Sequence, residues 1–324
     1  MLHGRAQQLL IFVASAAATF GAVTLAVLLI RKIGAHISGD VLLVDPNARY
    51  TVRLERRITV THNVRLLRFS LRSRYQRLGI YVGQHILVSA SIHGCPVTRH
   101  YTPVTRCDQT GHFDIMVKVY RTGESDEHPE GGLMSQFLDT MRRGERLTIQ
   151  GPRGTFIYEG QGHFVTVDGS RLPQASWMGL VAAGSGVTPM LQLLRHALVD
   201  EKDETKIKMI DVNRTEDDII ARRELDQYAK VHAERFSLCH VLSKPPAGEG
   251  AIGFVAGPLT SGIMAEYLPS TQQRYPGALV WTESLRERSV QAGTQHHWTQ
   301  ASEGAVLLSG ILNRIEEVYK SINL

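Results

Sequence analysis

The chain is 324 residues long, 43% hydrophobic and 21% charged, with a formal net charge of +5, enough apolar material for two cores of ordinary domain size. Its basic residues are scattered apart from short pairs such as Arg142-Arg143 and Arg222-Arg223, which excludes the charged runs of a nucleic-acid binder. Three cysteines, Cys95, Cys107 and Cys239, are odd in number and far apart, so neither a disulfide framework nor a zinc site is expected and a reducing compartment fits.

In chain order, the first element is an uncharged run from Leu9 to Ile30. As a helix it would be ~33 Å long, enough to cross the hydrocarbon core of a bilayer. A cleaved signal peptide is the alternative, but the run is too long for one, and Arg31-Lys32 stands where a small-residue cleavage site belongs. The expectation is a membrane anchor over residues 1–32 and a linker over 33–45. Arg5 precedes the span and two basic residues follow it, so the body faces the cytosol.

Residues 46–165 read as a small antiparallel β-barrel: short alternating runs such as "YTVRLERRITVT", "VRLLRFSL", "HILVSASI", "FDIMVKVY" and "RLTIQGP" are separated by turns holding Gly, Pro or Asp. A polar, turn-rich stretch over 165–176 marks a boundary. Beyond it, residues 176–324 read as an α/β domain with a parallel sheet. "WMGLVAA" is a buried strand, and Thr188-Pro189 opens a helix with Met190, Leu191, Leu194 and Leu198 at helical spacing. After the strand "KIKMIDV", a helix is expected to open at Thr215 in a capping box with Asp218, followed by the strand "FSLCHVLS" and further βα units.

Three stretches carry chemistry. In "RHYTPVT" (99–105), Arg99 offers a planar fork for a diphosphate. Tyr101, on the same side of the strand, can lie flat on a heteroaromatic ring, and Thr102, on the other, can reach a ring nitrogen. Pro103 ends the ladder at a turn. A strand-end turn with a surface arginine is the bland alternative. In "EGGLMSQFLDTM", Gly131-Gly132 precede a helix whose amino end can hold phosphate through backbone N–H groups. In "AAGSGVTPM", Gly184 and Gly186 sit between a buried strand and a helix, with Pro189 where a dinucleotide fingerprint has its third glycine.

In that order, with "VGQHILVS", "VKVY", "GPRGTFIY" and "NRTEDDII", these stretches make the chain from about Asp45 to Val255 resemble the NADH-cytochrome b5 reductases, membrane-anchored flavoenzymes of the ferredoxin-reductase type. The resemblance implies FAD bound by Arg99, His100, Tyr101 and Thr102, by Val117, Lys118, Val119 and Tyr120, by Gly132, Leu133, Met134 and Ser135, and by Thr188. Thr102 would lie near flavin N5, and His85, linked to Thr102 by hydrogen bonds, would share its catalytic role; a satisfied core histidine is the alternative for His85. Gly184, Ser185, Gly186, Thr188 and Pro189, with Ser243, Lys244, Ser309 and Gly310, would face the nicotinamide nucleotide. In the implied reaction NADH gives a hydride to the flavin, and single electrons then leave for a separate haem protein such as cytochrome b5. A monomer in the endoplasmic reticulum or mitochondrial outer membrane is expected.

Four departures from the family pattern stand out. Ser243, followed by Lys244, replaces the aspartate that favours NADH, so NADPH is expected to be usable. Leu133 and "DGS" at 168–170 replace lysines that dock cytochrome b5, so steering of that partner is expected to be weaker. Ser309-Gly310-Ile311-Leu312 stands for the family's Cys-Gly-Pro-Pro turn. The stretch from Ser270 to Gly304 is unlike the family connection; it holds a strand-like "ALVW" and the pair His296-His297, for which no metal is expected. The altered carboxyl end motivates a competing reading: a degenerate reductase fold, weak in hydride transfer, serving as a membrane-bound interaction protein.

Overall fold

The computed structural model describes residues 40–124, 129–247, 253–268, 277–282 and 305–309. The expected span at 9–30 and the His296-His297 pair lie outside them. Among the described residues no helix is long and apolar enough to cross a membrane.

Six antiparallel strands build the first sheet: β1 (Tyr50–Thr59), β2 (Val64–Ser70), β3 (His85–Ile92), β4 (Cys95–Tyr101), β5 (His112–Lys118) and β6 (Arg146–Arg153), in the order β4-β3-β6-β1-β2-β5. Their period-2 pattern turns Val52 and Leu54, Leu67 and Phe69, and Ile86 and Val88 into one core. The sheet closes where Pro103 bridges Ile115 and the Val104 N–H donates to the Asp114 carbonyl at 2.8 Å. The β3–β4 ladder ends at Tyr101, just before Pro103 as expected, but Pro103 does not sit in a turn. It carries the chain across to β5, and Val104 supplies the N–H that proline lacks. Helix α1 (Leu133–Thr140) packs on β3, β4 and β5 and drives Met134 and Leu138 into the barrel core.

A hairpin of β7 (Phe156–Gly160) and β8 (His163–Thr166) leads to the second sheet. Here β9 (Trp177–Ala183), β10 (Lys206–Asn213), β11 (Phe236–Leu242) and β12 (Phe254–Ala256) run parallel, with β13 (Gly277–Thr282) parallel to β9 on its other side. The near-continuous apolar runs of β9 and β10 are buried on both faces, as a parallel sheet requires. One face packs helix α2 (Val187–Ala197) and Leu225 of helix α3 (Arg222–Val231) together with the barrel residues Val64, Val82, Val104 and Met116. The other packs Met264 of helix α4 (Ser261–Tyr267) against Val181, Ile210 and Val241. Barrel and parallel sheet therefore share one apolar core.

Two further expectations are corrected. The capping box of Thr215 and Asp218 is present, but it closes a single 3-10 turn, Glu216–Asp218. The next residues leave the helix: Ile219 is extended, Ile219 and Ile220 are buried, and Ala221 is left-handed at φ 56° before α3 begins. Burial of that isoleucine pair outweighs continuation of the turn. The second correction concerns the end of the sheet: "ALVW" lies in β13, the parallel neighbour of β9, whereas β14 (Ala305–Ser309) is an antiparallel edge strand on β13.

Candidate functional site

Three strand or helix ends converge on the side of the barrel that meets the parallel sheet. On β4, Val97, Arg99 and Tyr101 pair with Ala90, Val88 and Ile86 of β3 and share a side. Val97 is buried, Tyr101 half-buried, and Arg99 exposed with its guanidinium donating to the Thr98 carbonyl at 2.8 Å. Burial pushes the Tyr101 phenol upward; Arg99 opposes this and Tyr120 adds to it, so the β4 end lies within electrostatic reach of the β5 end. His100 turns the other way. Its Nδ1 meets His85 Nε2 at 2.9 Å, the rings meeting edge-on with centroids 4.9 Å apart. The hydrogen bond of the His85 ring therefore goes to His100 and not to Thr102. Burial, helped by His100 and Arg153, lowers His85 to about 4, so it is a neutral imidazole at physiological pH and can hold or pass one proton.

Beyond β5, Val119 is buried and Tyr120 exposed. The Tyr120 N–H donates to Ser135 Oγ at 3.2 Å, and the Ser135 hydroxyl donates to the Gly132 carbonyl at 2.9 Å. This fixes the amino end of α1 against the strand. Gly131, at φ 67°, is needed there: a Cβ would lie 2.5 Å from the Tyr120 carbonyl oxygen. No side chain caps this helix start, so its first N–H groups are left for an outside acceptor. Met134 is buried and Leu133, on the same turn, exposed. An uncapped helix start and an exposed arginine on the facing strand fit a diphosphate.

Val117 lies in the barrel core, but Lys118 is already committed. Its Nζ meets Asp218 Oδ1 at 2.9 Å, and Asn63 Nδ2 donates to the same oxygen at 3.2 Å. Burial alone would raise Asp218; hydrogen bonds from Lys118 and Thr215 outweigh it and bring it to about 2. This bond joins the barrel to the nucleotide half. Since the folded-state pKa is depressed, its stabilisation is complete above pH ~4 and is lost as pH falls toward 2, about 2 kcal/mol in all. Asp218→Asn is therefore expected to lower unfolding stability by about that amount at pH 7 and to flatten the acid limb between pH 4 and 2. Urea titrations at several pH values measure both.

At the carboxyl end of β9, Gly184–Gly186 form a 3-10 turn, with Gly184 at φ 52°. Thr188, buried in the first turn of α2, donates its hydroxyl to the Ser185 carbonyl at 3.1 Å, while Pro189 is half-buried beside it. The Ser185 and Tyr120 hydroxyls lie 3.4 Å apart, so the glycine turn reaches the barrel. Ser243 and Lys244 are exposed at the carboxyl end of β11, their N–H groups bonded to the carbonyls of Asn213 and Arg214 at 3.1 and 2.7 Å. Ser309 is not brought to this edge. It pairs with Ala278, which pairs with Met178 near the amino end of β9; Gly310 lies outside the described residues.

Four features of the structure escaped sequence reasoning. Gln192 and Arg195 of α2 bond to barrel backbone, the latter through its Nη1 to the Val104 carbonyl. Glu224 of α3 holds Arg195 at two points, both 2.7 Å. Arg214, exposed at the end of β10, stands beside Lys244. Away from the site, Tyr158 of the hairpin donates to the buried Asp203, just before the amino end of β10, at 2.5 Å. A polar residue on an otherwise apolar helix face was the available signal for Gln192.

Residues 51–158 match the family model of the oxidoreductase FAD-binding domain, and 180–275 that of the oxidoreductase NAD-binding domain. The chain is 41% identical to NADH-cytochrome b5 reductase 2 of Xenopus laevis over 253 residues, 76% of this chain and 84% of that protein. It is 38% identical to the human protein of that name over 234 residues, 71% of this chain and 83% of that protein. Among solved structures, the cytochrome b5 reductase domain of Ulva prolifera nitrate reductase superposes with a TM-score of 0.70 at 29% identity, covering 76% of this chain and 92% of that one.

Proposed function

Since the chain belongs to the NADH-cytochrome b5 reductase family of FAD- and NAD-binding oxidoreductases, we propose that it passes electrons from NADH through FAD to a one-electron haem acceptor such as cytochrome b5, from a membrane-anchored position. It is an enzyme, with FAD and NADH as its cofactors. The observation that carries the reading is the meeting of two motifs distant in the chain: the Tyr120 hydroxyl beyond β5 lies 3.4 Å from Ser185 in the glycine turn.

In this reading the helix start at Gly132, Met134 and Ser135 and the Arg99 guanidinium hold the FAD diphosphate. Tyr101 packs on the ring system, Thr102 lies at its edge, and Val117, Val119 and Tyr120 line its nucleotide side. Bound FAD supplies a two-electron acceptor that can release electrons singly. His85, neutral and bonded to His100, steadies the strand end and offers a proton site beside it. Gly184, Ser185, Gly186, Thr188 and Pro189 take the nicotinamide nucleotide at the carboxyl edge of the parallel sheet, with Ser243 and Lys244 near its adenosine end. The replaced acid there supports use of NADPH as well.

The uncharged run at 9–30, with Arg31-Lys32 after it, supports a bilayer anchor and a body on the cytosolic side, in the endoplasmic reticulum or outer mitochondrial membrane. The full chain, purified in detergent, is expected to be yellow and to lose its visible flavin absorbance when NADH is added without oxygen, then regain it on addition of oxidised cytochrome b5. Yellow protein that NADH leaves unchanged would refute the hydride-transfer reading and restore the competing one. Bleached protein that cytochrome b5 cannot reoxidise would refute that acceptor.

A further inference from the structure

Gln192 is 2% exposed, in the middle of α2 and far from any surface role. Its Oε1 accepts from the Gly83 N–H at 2.8 Å, and its Nε2 donates to the carbonyls of Gln84 at 3.1 Å and Pro103 at 3.3 Å. Three of the amide's four hydrogen-bonding positions are thus filled, all by barrel backbone. The partners bracket the candidate site: Pro103 follows Thr102, and Gln84 precedes His85. Gln192 itself lies four residues after Thr188, on the same face of α2 one turn from the glycine turn.

From this arrangement we infer that Gln192 is a positioning residue for hydride transfer: it clamps the helix that presents the nicotinamide nucleotide to the strand end that presents FAD. The inference rests on the NADH-to-FAD reading above. Arg195, bonded to the Val104 carbonyl and held by Glu224, is a second attachment farther along α2. With Gln192 disabled the helix stays docked at Arg195 and pivots there. Gln192 is three residues from that pivot and Val187 is eight, so slack at Gln192 is magnified roughly 2.7-fold at the start of the helix. Misplacement of reacting groups by ~1 Å costs about 100-fold in rate.

The test compares the full chain with Gln192→Met and Gln192→Glu, each loaded with FAD. Methionine keeps the length and removes all three bonds. A protonated glutamic acid keeps the acceptor and one donor, and burial at this position favours the protonated form. The anaerobic rate of flavin reduction by NADH is expected to fall about 10–100-fold in Gln192→Met, with FAD stoichiometry unchanged and KM within about threefold. Exchange of the Gly83 amide hydrogen should accelerate in the same variant. Gln192→Glu should recover much of the rate at low pH and lose it as pH rises, relative to the parent at each pH. His85, next to Gln84, is neutral above about 4, and the paired Arg195 and Glu224 keep their charges over that range, so neither reproduces this profile. An unchanged rate in Gln192→Met, or a loss that tracks loss of FAD or of thermal stability in both variants, overturns the inference. Failure of the parent itself to be reduced by NADH overturns the underlying reading instead.

Discussion

A Gly131→Val enzyme is expected to fold and to purify colourless. Gly131 sits at φ 67°, and a Cβ there would lie 2.5 Å from the Tyr120 carbonyl oxygen and 2.7 Å from the Arg121 carbonyl carbon. Both are backbone atoms, so no side chain can swing aside. The next residue is held by the same element, its N–H donating to the Tyr120 carbonyl at 2.9 Å. The loop must therefore lift from β5 and carry the amino end of α1 with it, while Met134 and Leu138 keep the rest of the helix in the barrel core. A left-handed valine adds about 1–3 kcal/mol of strain. Together, misplacement of the first-turn N–H groups and this strain are expected to weaken FAD binding about 100-fold or more, near 3 kcal/mol. The measurement is the ratio of flavin to protein after gel filtration, with Kd from titration of FAD back into the apoprotein. Gly123→Ala is the control: Gly123 has φ 78° but open space around it, so it carries the left-handed strain without the collision. Equal loss of FAD in the two variants would show that strain, and not the approach to Tyr120, is responsible.

That glycine was legible in the sequence, because a Gly-Gly pair directly before an apolar-periodic helix marks a backbone that turns left-handed or passes close to a neighbour. The barrel strands were legible too, since Val52, Leu54, Leu67 and Phe69 recur at the period of a half-buried strand and are buried in one core. What was hidden depends on partners remote in the chain. Nothing local to Lys118, which the resemblance places on the FAD side, shows that Asp218, a hundred residues on, binds its ammonium group. Asp218 reads as a helix-capping residue, and it does cap, but its other oxygen joins the two halves of the molecule. The helix expected after it was displaced because Ile219 and Ile220 gain more from the core than from continuing the turn. The direction of β14 was beyond local pattern altogether: a strand of five residues has the same alternation whichever way it is paired.

Nucleotide choice is where a single charge should have the next largest effect. Ser243 and Lys244 stand at the carboxyl edge of β11, and the Lys244 N–H bonds to the carbonyl of the exposed Arg214. Two exposed basic side chains, with Ser243 in place of the family's acid, thus stand at the end of the sheet where the adenosine half of a dinucleotide is expected. A ribose 2′-phosphate carries nearly two negative charges. In this reading the parent enzyme uses NADPH, and a preference for NADH of about a thousandfold or more in kcat/KM would contradict it. Ser243→Asp reverses the field. A carboxylate about 4 Å from each of those charges, in surroundings close to water, costs ~1 kcal/mol per charge, or about 30-fold against NADPH. Its hydrogen bonds to the ribose hydroxyls of NADH raise the swing in selectivity to about 100-fold. The contribution of repulsion should shrink as ionic strength rises, because the site is exposed, whereas the gain for NADH should persist. Steady-state kcat/KM for both nucleotides at two salt concentrations separates these effects. A selectivity ratio unchanged in Ser243→Asp would mean that the adenosine ribose does not lie at the end of β11, and the nucleotide would then have to be sought elsewhere along the carboxyl edge of the sheet.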